Sequence, residues 1–346
     1  MIRTDGAPND QTNRRSPPWP GASRWWNMTS SSHQLVGRLA PSPTGGLHVG
    51  HARTFFLAWL AAKCAGGRIV LRVEDIDASR VRPEAVQGAV EDLRWLGLTW
   101  DEGPHLQSAR RSFHDQALDR LKALELVYPC TCTRADVARA ASAPHLEDEG
   151  PRYPGICAHR TAQDAPTLGD RPFAWRFRVP RGPIEWDDLF LGREAIDPSE
   201  AGGDFLVARE GMGPSYQLAV VCDDAAMHVN QVIRGQDLEA STPRQVLLYR
   251  AFGWDVPRFG HAPLVIGADG RRLAKRDGSI KLATLRGEGV EARRLIGWLA
   301  ISLGLADEVV PSAPADWVER FSLERLPRGP WTATLDTLRA CDETSS

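Results

Sequence analysis

Apolar runs of two lengths alternate along the first third of this 346-residue chain. Residues 34–40 form a run of strand length, and residues 51–65 are apolar on nearly every face, as in a buried helix. Residues 69–73 form a second short run, and apolar positions then recur at helical spacing within 84–96 and 112–126. This order of strand, helix, strand and helix predicts an α/β fold with a doubly wound parallel sheet.

Polar and apolar positions alternate in the middle of the chain. Residues 174–180 and 184–192 alternate around a Pro-Arg-Gly-Pro turn, which predicts a hairpin. Residues 204–210 are expected to return to the parallel sheet, and residues 213–238 to form a helix or a pair of buried strands. Residues 242–253 are predicted to form a helix with proline at its start.

The two ends of the chain and its overall charge narrow the class of protein. Residues 1–33 lack periodicity and predict a disordered tail, whereas only helices are predicted beyond residue 283. The 42 Lys and Arg residues nearly balance the 44 Asp and Glu residues, which argues against general binding of polyanions, so that no DNA partner is expected, and permits a local basic face for RNA. Six cysteines without a leader-like segment indicate a cytoplasmic protein with no membrane partner.

The loop between the first predicted strand and helix suits an anion. Pro41 and Pro43 stiffen it, and Gly50 removes a side chain where a ligand could approach the backbone. His48 and His51 lie three residues apart at the predicted helix N-terminus, where the backbone N–H groups and the helix dipole favour negative charge. A polyphosphate fits such a site.

Acidic residues follow the second strand. Glu74, Asp75 and Asp77 come directly after residues 69–73. Ligands in open α/β sheets bind at the carboxyl ends of the strands, so these acids are expected to face the same crevice as the histidine loop. Asp77 is equally suited to cap the following helix.

Cysteines cluster in the middle of the chain. Cys130 and Cys132 form a C-x-C pair, and Cys157 follows at a distance, which is a plausible structural zinc site. Spacing alone favours His145 or His159 as the fourth ligand. A basic stretch, Arg271 to Arg276, on its own indicates only a charged surface loop.

The segment PSPTGGLHVGHAR resembles the HIGH signature of class I aminoacyl-tRNA synthetases, in particular their glutamyl/glutaminyl branch. The resemblance implies a Rossmann-type catalytic domain in which His48 and His51 are catalytic and hold the ATP phosphates. Nucleotidylyltransferases share an H-x-G-H loop and similar chemistry, so this loop alone does not exclude them.

The resemblance also implies a set of site residues. Those for glutamate are Arg38, Leu39, Ala40, Pro41, Ser42, Glu74, Tyr216 and Arg234. Those for ATP are His48, Gly50, His51 and Lys275, where Lys275 is the second lysine of the family's K-M-S-K-S loop and also catalytic. Here that loop reads R-L-A-K-R, with Arg272 for the first lysine and Ala274 for the serine, which removes a hydroxyl.

The pattern C-x-C followed by Y-x-x-x-C is similar to that of the glutamyl-Q tRNA(Asp) synthetases. In that family three sulfurs and a Tyr oxygen hold one structural zinc, which implies Cys130, Cys132, Tyr153 and Cys157 here. The implied units are a tail at 1–33, a catalytic domain in two halves at 34–126 and 204–265, a zinc-bearing α+β insertion at 127–203, and a loop with a short C-terminal helical region at 266–346.

The implied activity is formation of glutamyl-adenylate from L-glutamate and ATP with Mg²⁺, followed by transfer to queuosine in tRNA(Asp). Only about 70 residues follow the basic loop, which is less than an ordinary domain and leads us to expect no anticodon-binding modules. A short glutamyl-tRNA synthetase, a nucleotidylyltransferase and a non-catalytic tRNA-binding relative remain alternatives.

Overall fold

The structure, a computed structural model, describes residues 34–77, 81–140, 152–267 and 280–332. Its strands are β1 Val36–Leu39, β2 Arg68–Val73, β3 Glu102–Leu106, β4 Val127–Cys130, β5 Ala174–Phe177, β6 Ile184–Asp188, β7 Gly192–Ile196, β8 Phe205–Arg209, β9 Gly213–Pro214, β10 Gln231–Gly235, β11 Arg258–Ala262, β12 Val265–Ile266 and β13 Trp331–Thr332. Its α-helices are α1 Val49–Cys64, α2 Pro83–Trp95, α3 Arg111–Ala123, α4 Arg134–Ala140, α5 Pro198–Ala201, α6 Tyr216–Ala226, α7 Thr242–Phe252, α8 Leu282–Gly287 and α9 Ala292–Ser302.

Parallel strands form the centre of the fold. Strand β2 pairs in parallel with both β1 and β3, and β10 pairs in parallel with β11. Asn230, just before β10, joins the two sets, because its backbone N–H donates to the Val36 carbonyl and its side-chain oxygen accepts from the Val36 N–H. The predicted parallel α/β core is therefore confirmed.

Helices cover both faces of this sheet. Ile69, Leu71 and Val73 of β2 pack in one apolar cluster with α1, α2 and α9. Val70, which points the other way, packs in a second cluster with α3, α6 and α7. Side chains that alternate along β2 therefore pack in two different apolar clusters. Because both faces of such a strand are buried, its sequence is a nearly continuous apolar run.

The predicted hairpin of residues 174–192 is wrong. Strand β5 instead lies between β4 and β8 in an antiparallel sheet of order β4-β5-β8-β9, and β6 forms its hairpin with β7. The expected return of residues 204–210 to the parallel sheet is also wrong, because β8 pairs with β5 and β9. The antiparallel sheet therefore continues beyond residue 203.

The later elements follow the predictions more closely. Residues 213–238 contain the helix α6 and the strand β10, and α7 carries Pro243 in its first turn, as predicted. The expectation of helices alone beyond residue 283 is wrong at Trp331, where β13 pairs in parallel with β12. Residues 1–33, predicted as a tail, lie outside the described part of the chain.

The helices of the described ranges are all too short or too polar to span a lipid bilayer.

Candidate active site

A cavity of about 310 Å³ opens where β1, β2 and β10 end. Parallel strands of an α/β sheet place their carboxyl ends at one edge, so residues far apart in the chain meet there. The residues predicted for glutamate and ATP that line this cavity are Arg38, Ala40, Pro41, Ser42, His48, Gly50, His51, Glu74, Tyr216 and Arg234. Leu39 is different, because its side chain is fully buried in the core on the α1 side of the sheet.

The two histidines stack at the N-terminus of α1. Their ring centroids are 3.7 Å apart, and His48 is the residue that caps the helix. The backbone N–H of His48 donates to Nδ1 of His51 at 3.3 Å, so the His51 proton resides on Nε2. His51 therefore offers an N–H donor next to the positive end of the helix dipole, as an anion site requires.

The two flanks of the basic loop lie beside these histidines. Val265, before the loop, lines the cavity, and the carbonyl of Ile280, after it, accepts from the Val49 N–H at 3.0 Å. Lys281 also forms an antiparallel bridge with His48. Lys275, Arg271, Arg272, Ala274 and Arg276 lie outside the described residues.

A buried ion network surrounds Glu74. Its carboxylate accepts from Arg72 and from the Ser42 hydroxyl, each at 3.2 Å. Arg72 also donates to Asp224 at 2.6 Å, and Asp224 lies 3.2 Å from Nε of Arg38. Buried charges are tolerated when each has an opposite partner, so the network fixes Glu74 and Arg38 at the cavity wall.

Sequence reasoning missed Arg72 and Asp224. Burial alone lowers the pKa of Arg72, but Asp224 and Glu74 raise it above its usual value, so the guanidinium stays charged in the core. The sequence did contain a signal for this pair, because Arg72 interrupts the apolar run of β2. A buried arginine requires a carboxylate partner elsewhere in the fold. Its partner lies more than 150 residues away in the chain, on α6.

Arg234 enters the cavity from β10. It is buried and donates to Gln245, Thr242 and His261, at 2.7, 2.6 and 3.0 Å. Burial lowers the pKa of Arg234, yet arginine remains protonated in proteins. Tyr216, at the start of α6, lines the same cavity, and burial together with the Glu74 carboxylate raises its pKa.

The side chain of Asp75 contacts Ser108 and not the cavity. Its carboxylate accepts from the backbone N–H and the hydroxyl of Ser108, at 2.7 and 2.6 Å. The expectation that it faces the crevice together with Glu74 is therefore wrong, since Asp75 fixes the turn before α3.

A second cluster lies at the end of β4. The sulfurs of Cys130, Cys132 and Cys157 all lie within 4.8 Å of one another. The Tyr153 hydroxyl lies 3.4 Å from the Cys130 sulfur and 4.0 Å from that of Cys132. Tetrahedral zinc with bonds of about 2.3 Å separates its ligand atoms by roughly 3.8 Å, which agrees with this spacing. His159 is exposed, and His145 lies outside the described residues.

Cations surround these sulfurs. Arg176 donates to the Cys130 sulfur at 3.3 Å, and Arg160 donates to the Cys157 sulfur at 3.4 Å. Burial opposes ionisation of Cys157, but the backbone N–H of Thr131 and neighbouring donors lower its pKa to about 7. Burial and the Cys157 sulfur raise the pKa of Cys132 to about 12. The set can hold a metal ion that displaces the remaining protons.

Known proteins are similar to this chain in sequence and in architecture. Residues 34–308 match the catalytic domain of the class I tRNA synthetases for E and Q. A glutamyl-Q tRNA(Asp) synthetase of Symbiobacterium thermophilum is 48% identical over 317 residues, covering 88% of this chain and 98% of that protein. The chain belongs to the glutamyl-Q tRNA(Asp) synthetase family. Members of this family are ligase-type class I synthetases, so the protein is an enzyme.

Glutamate–tRNA ligases are also similar to this synthetase. That of Geobacter sulfurreducens is 41% identical over 292 residues, which is 84% of this chain and 61% of the ligase. In a crystal structure, the glutamate–tRNA synthetase of Elizabethkingia anophelis superposes with a TM-score of 0.76 at 25% identity, covering 89% of this chain and 70% of that one. These relatives exclude the nucleotidylyltransferase alternative.

Proposed function

We propose that this synthetase activates L-glutamate with ATP and transfers the glutamyl group to queuosine in the anticodon of tRNA(Asp). The observation that carries the glutamate-activating step is the single cavity at the end of β1, β2 and β10. It combines a helix N-terminus with two histidines, a carboxylate and two buried arginines. These groups suit a polyphosphate, an ammonium and carboxylates, respectively.

In the first step, a carboxylate oxygen of glutamate attacks the α-phosphorus of ATP and pyrophosphate leaves. His48, His51 and the first N–H groups of α1 would bind the phosphates, with Gly50 giving them access to the backbone. Lys275 would neutralise charge that develops on the leaving group, and Mg²⁺ would accompany ATP. Catalysis then consists of positioning and charge stabilisation.

Glutamate would lie between opposite charges. Glu74, fixed by Arg72 and Ser42, would receive the ammonium group. Arg38 and Arg234 would each hold a carboxylate, with the Tyr216 hydroxyl completing the pocket. Leu39 would contribute only through its backbone, because its side chain is fully buried.

In the second step, a hydroxyl of the cyclopentene diol of queuosine attacks the glutamyl carbonyl and AMP leaves. The support for this acceptor is the relatives' name and their fuller alignment. The alignment with this chain covers 98% of the glutamyl-Q tRNA(Asp) synthetase of S. thermophilum, whereas it covers 61% of the Geobacter ligase.

We also propose that Cys130, Cys132, Tyr153 and Cys157 hold one structural zinc ion. The spacing of their ligand atoms supports this assignment. Four protein ligands leave no open coordination position, so the metal would have no catalytic role.

The second candidate function is a short glutamyl-tRNA synthetase that charges a tRNA 3′ end. The 41% identity to a glutamate–tRNA ligase favours it. The cavity serves both candidates equally, because they share the adenylate-forming step and differ only in the acceptor.

Two assays test the proposal. ATP–pyrophosphate exchange should proceed with glutamate in the absence of tRNA and should be much weaker with glutamine, because Arg234 offers donors suited to a carboxylate. Labelled glutamate should then be transferred to tRNA(Asp) bearing queuosine, with unmodified tRNA(Asp) as the matched control. A preference for glutamine would exclude the pocket assignment, and efficient charging of tRNA(Glu) would favour the second candidate.

A further inference from the structure

His261 lies next to Arg234 in the sheet. The two residues face each other across the parallel pair of β10 and β11, and both are buried. Nε of Arg234 donates to Nε2 of His261 at 3.0 Å, so that ring nitrogen must present a lone pair. The Thr242 hydroxyl, 3.1 Å from the same nitrogen, also accepts from Arg234.

Asp188 lies on the other side of the imidazole, at the end of β6. One of its oxygens accepts from the backbone N–H groups of Phe190, Leu191 and His261. Its second oxygen contacts Nδ1 of His261. Burial opposes ionisation of Asp188, but the hydrogen bonds from His261 and Phe190 lower its pKa, so Asp188 is an ionised acceptor.

These contacts specify one tautomer. An ionised carboxylate has no proton to donate, so Nδ1 of His261 must carry the proton. Burial lowers the pKa of His261, which keeps the ring neutral at pH 7. Nε2 then faces Arg234 as an acceptor.

We propose that His261 is a positioning residue for the glutamate site, with Asp188 selecting the tautomer that aims the Arg234 fork at a substrate carboxylate. This inference rests on the proposed function, in which Arg234 binds glutamate. A carboxylate in direct contact would hold Arg234 equally well but would cancel part of its charge. The neutral imidazole, with Thr242 and Gln245, orients the guanidinium and leaves its charge for the substrate.

The same contacts connect the β6–β7 hairpin to the cavity. The Leu189 N–H donates to the Phe259 carbonyl, and a side chain at Gly260 would collide with Phe190. The hairpin is therefore held against β11 directly beside His261. Displacing it would change the hydrogen bond that Arg234 donates to His261.

Acid should weaken glutamate binding through this contact. The charged groups that face His261 are Asp188 on β6, Arg234 on β10 and Asp237 just after β10. Protonation of Nε2 would place two N–H donors opposite each other, His261 and Arg234. The glutamate Kd should therefore rise as the pH falls below the ordinary value for histidine.

The first test replaces Asp188 by Asn, which keeps the shape of the side chain. The Asn oxygen can still accept from the backbone N–H groups, while its NH₂ group faces Nδ1 as a donor. Nδ1 must then be the acceptor, so the proton of the neutral imidazole lies on Nε2. The glutamate Kd should rise roughly 10-fold or more, with the Kd for ATP nearly unchanged. Asp187→Asn, at an exposed position of the same strand, is the matched control and should bind glutamate normally.

Nitrogen NMR of the histidines gives a readout independent of binding. In the wild-type protein the His261 signal, assigned by its loss in H261Q, should show a protonated Nδ1. In D188N it should show a protonated Nε2. An unchanged tautomer in D188N would overturn the role given to Asp188.

The second test uses two variants of His261 that do not depend on the folding of D188N. In H261Q the amide oxygen can reach the position of Nε2 and accept from Arg234, whereas in H261N the amide can reach only Asp188. Glutamate should bind H261Q better than H261N by roughly 10-fold. Equal affinities of the two variants would overturn the inference, because a structural role would favour H261N. Failure of the wild-type protein to bind glutamate would instead overturn the proposed function.

Discussion

At the scale of single residues, Gly50 determines where the His48 ring lies. A β-carbon at Gly50 would lie 3.0 Å from Cε1 and 3.1 Å from Nδ1 of that ring. Both distances are shorter than a β-carbon ordinarily keeps from a neighbouring heavy atom, so the ring must move by a few tenths of an ångström to accept one methyl group. The glycine between the two histidines thus allows the capping ring to fold over the first turn of α1.

The change Gly50→Ala is therefore expected to lower kcat for glutamate-dependent ATP–pyrophosphate exchange by roughly 10-fold, because small displacements of phosphate-binding groups weaken the transition state most. The KM for glutamate should change little. Gly88→Ala is the matched control, since Gly88 lies in α2 with no atom within 4 Å of the added carbon. Normal kcat in G50A would show that the ring position is unimportant.

Asp92 shows a different cost of burial. It lies in α2, where burial raises its pKa from 3.8 to about 6 despite Arg286 at 3.4 Å. The folded protein therefore binds the Asp92 proton more tightly than the unfolded chain does, and its stability falls as the pH rises from about 4 to about 6. Above that range the ionised carboxylate destabilises the fold.

Asp92→Asn is accordingly expected to raise the thermal midpoint at pH 8 by a few degrees, which corresponds to about 1 kcal/mol after allowing for the lost contact with Arg286. The gain should disappear near pH 4, where the wild-type carboxyl is protonated. Thermal unfolding at both values, with Glu91→Gln as control, measures this difference. An equal gain at both values would contradict the assigned cause.

Sequence reasoning predicted the residues of local motifs that line the cavity at the ends of β1, β2 and β10. The histidines and Glu74 follow strand ends, and this position alone places them at one edge of a parallel sheet. Arg72, Asp224 and His261 were not found, because their roles depend on partners that are distant in the chain. Local spacing contains no information on which carboxylate a buried arginine will contact.

At the scale of elements, strand existence was easier to predict than strand pairing. The alternation in β5 and β6 was recognised, but the turn between them suggested a hairpin that does not form. The Asp197 carboxylate accepts from the Gly182 and Ser199 N–H groups and closes the β6–β7 hairpin instead. Strand β3 was missed because it lies largely exposed at the sheet edge and lacks an apolar run.

The cysteine cluster packs against the end of β4. Cys130, Tyr153 and Cys157 are buried and pack with Tyr128 and Val137 in a small apolar group. A structural metal in such a group contributes free energy to folding, because its ligands are not assembled in the unfolded chain.

Protein purified without added zinc is therefore expected to contain about one equivalent, by metal analysis. Cys132→Ser should lose the metal and lower the thermal midpoint. Cys64→Ser is the matched control, because Cys64 is an exposed thiol at the end of α1. Stoichiometric zinc in C132S would exclude Cys132 as a ligand.

At the scale of the whole molecule, one cavity must serve two steps. It is bounded by α1, by the ends of β1, β2 and β10, and by the segment after β11. The antiparallel sheet of β4, β5, β8 and β9 shares its apolar core with α3, α6 and α7. The adenylate would form in this cavity, so the acceptor hydroxyl must reach it from outside.

The identity of this acceptor hydroxyl distinguishes the two candidate functions. A tRNA(Asp) bearing queuosine offers two similar nucleophiles, the diol of the 3′-terminal ribose and the cyclopentene diol of the modified base. An unstacked anticodon base is accessible for recognition in the way that single-stranded RNA generally is. We expect labelled glutamate to be transferred to this tRNA after its 3′-terminal adenosine has been removed, whereas unmodified tRNA(Asp) with an intact 3′ end should remain unlabelled. Loss of the label on trimming would assign the transfer to the ribose and make the protein a short glutamyl-tRNA synthetase.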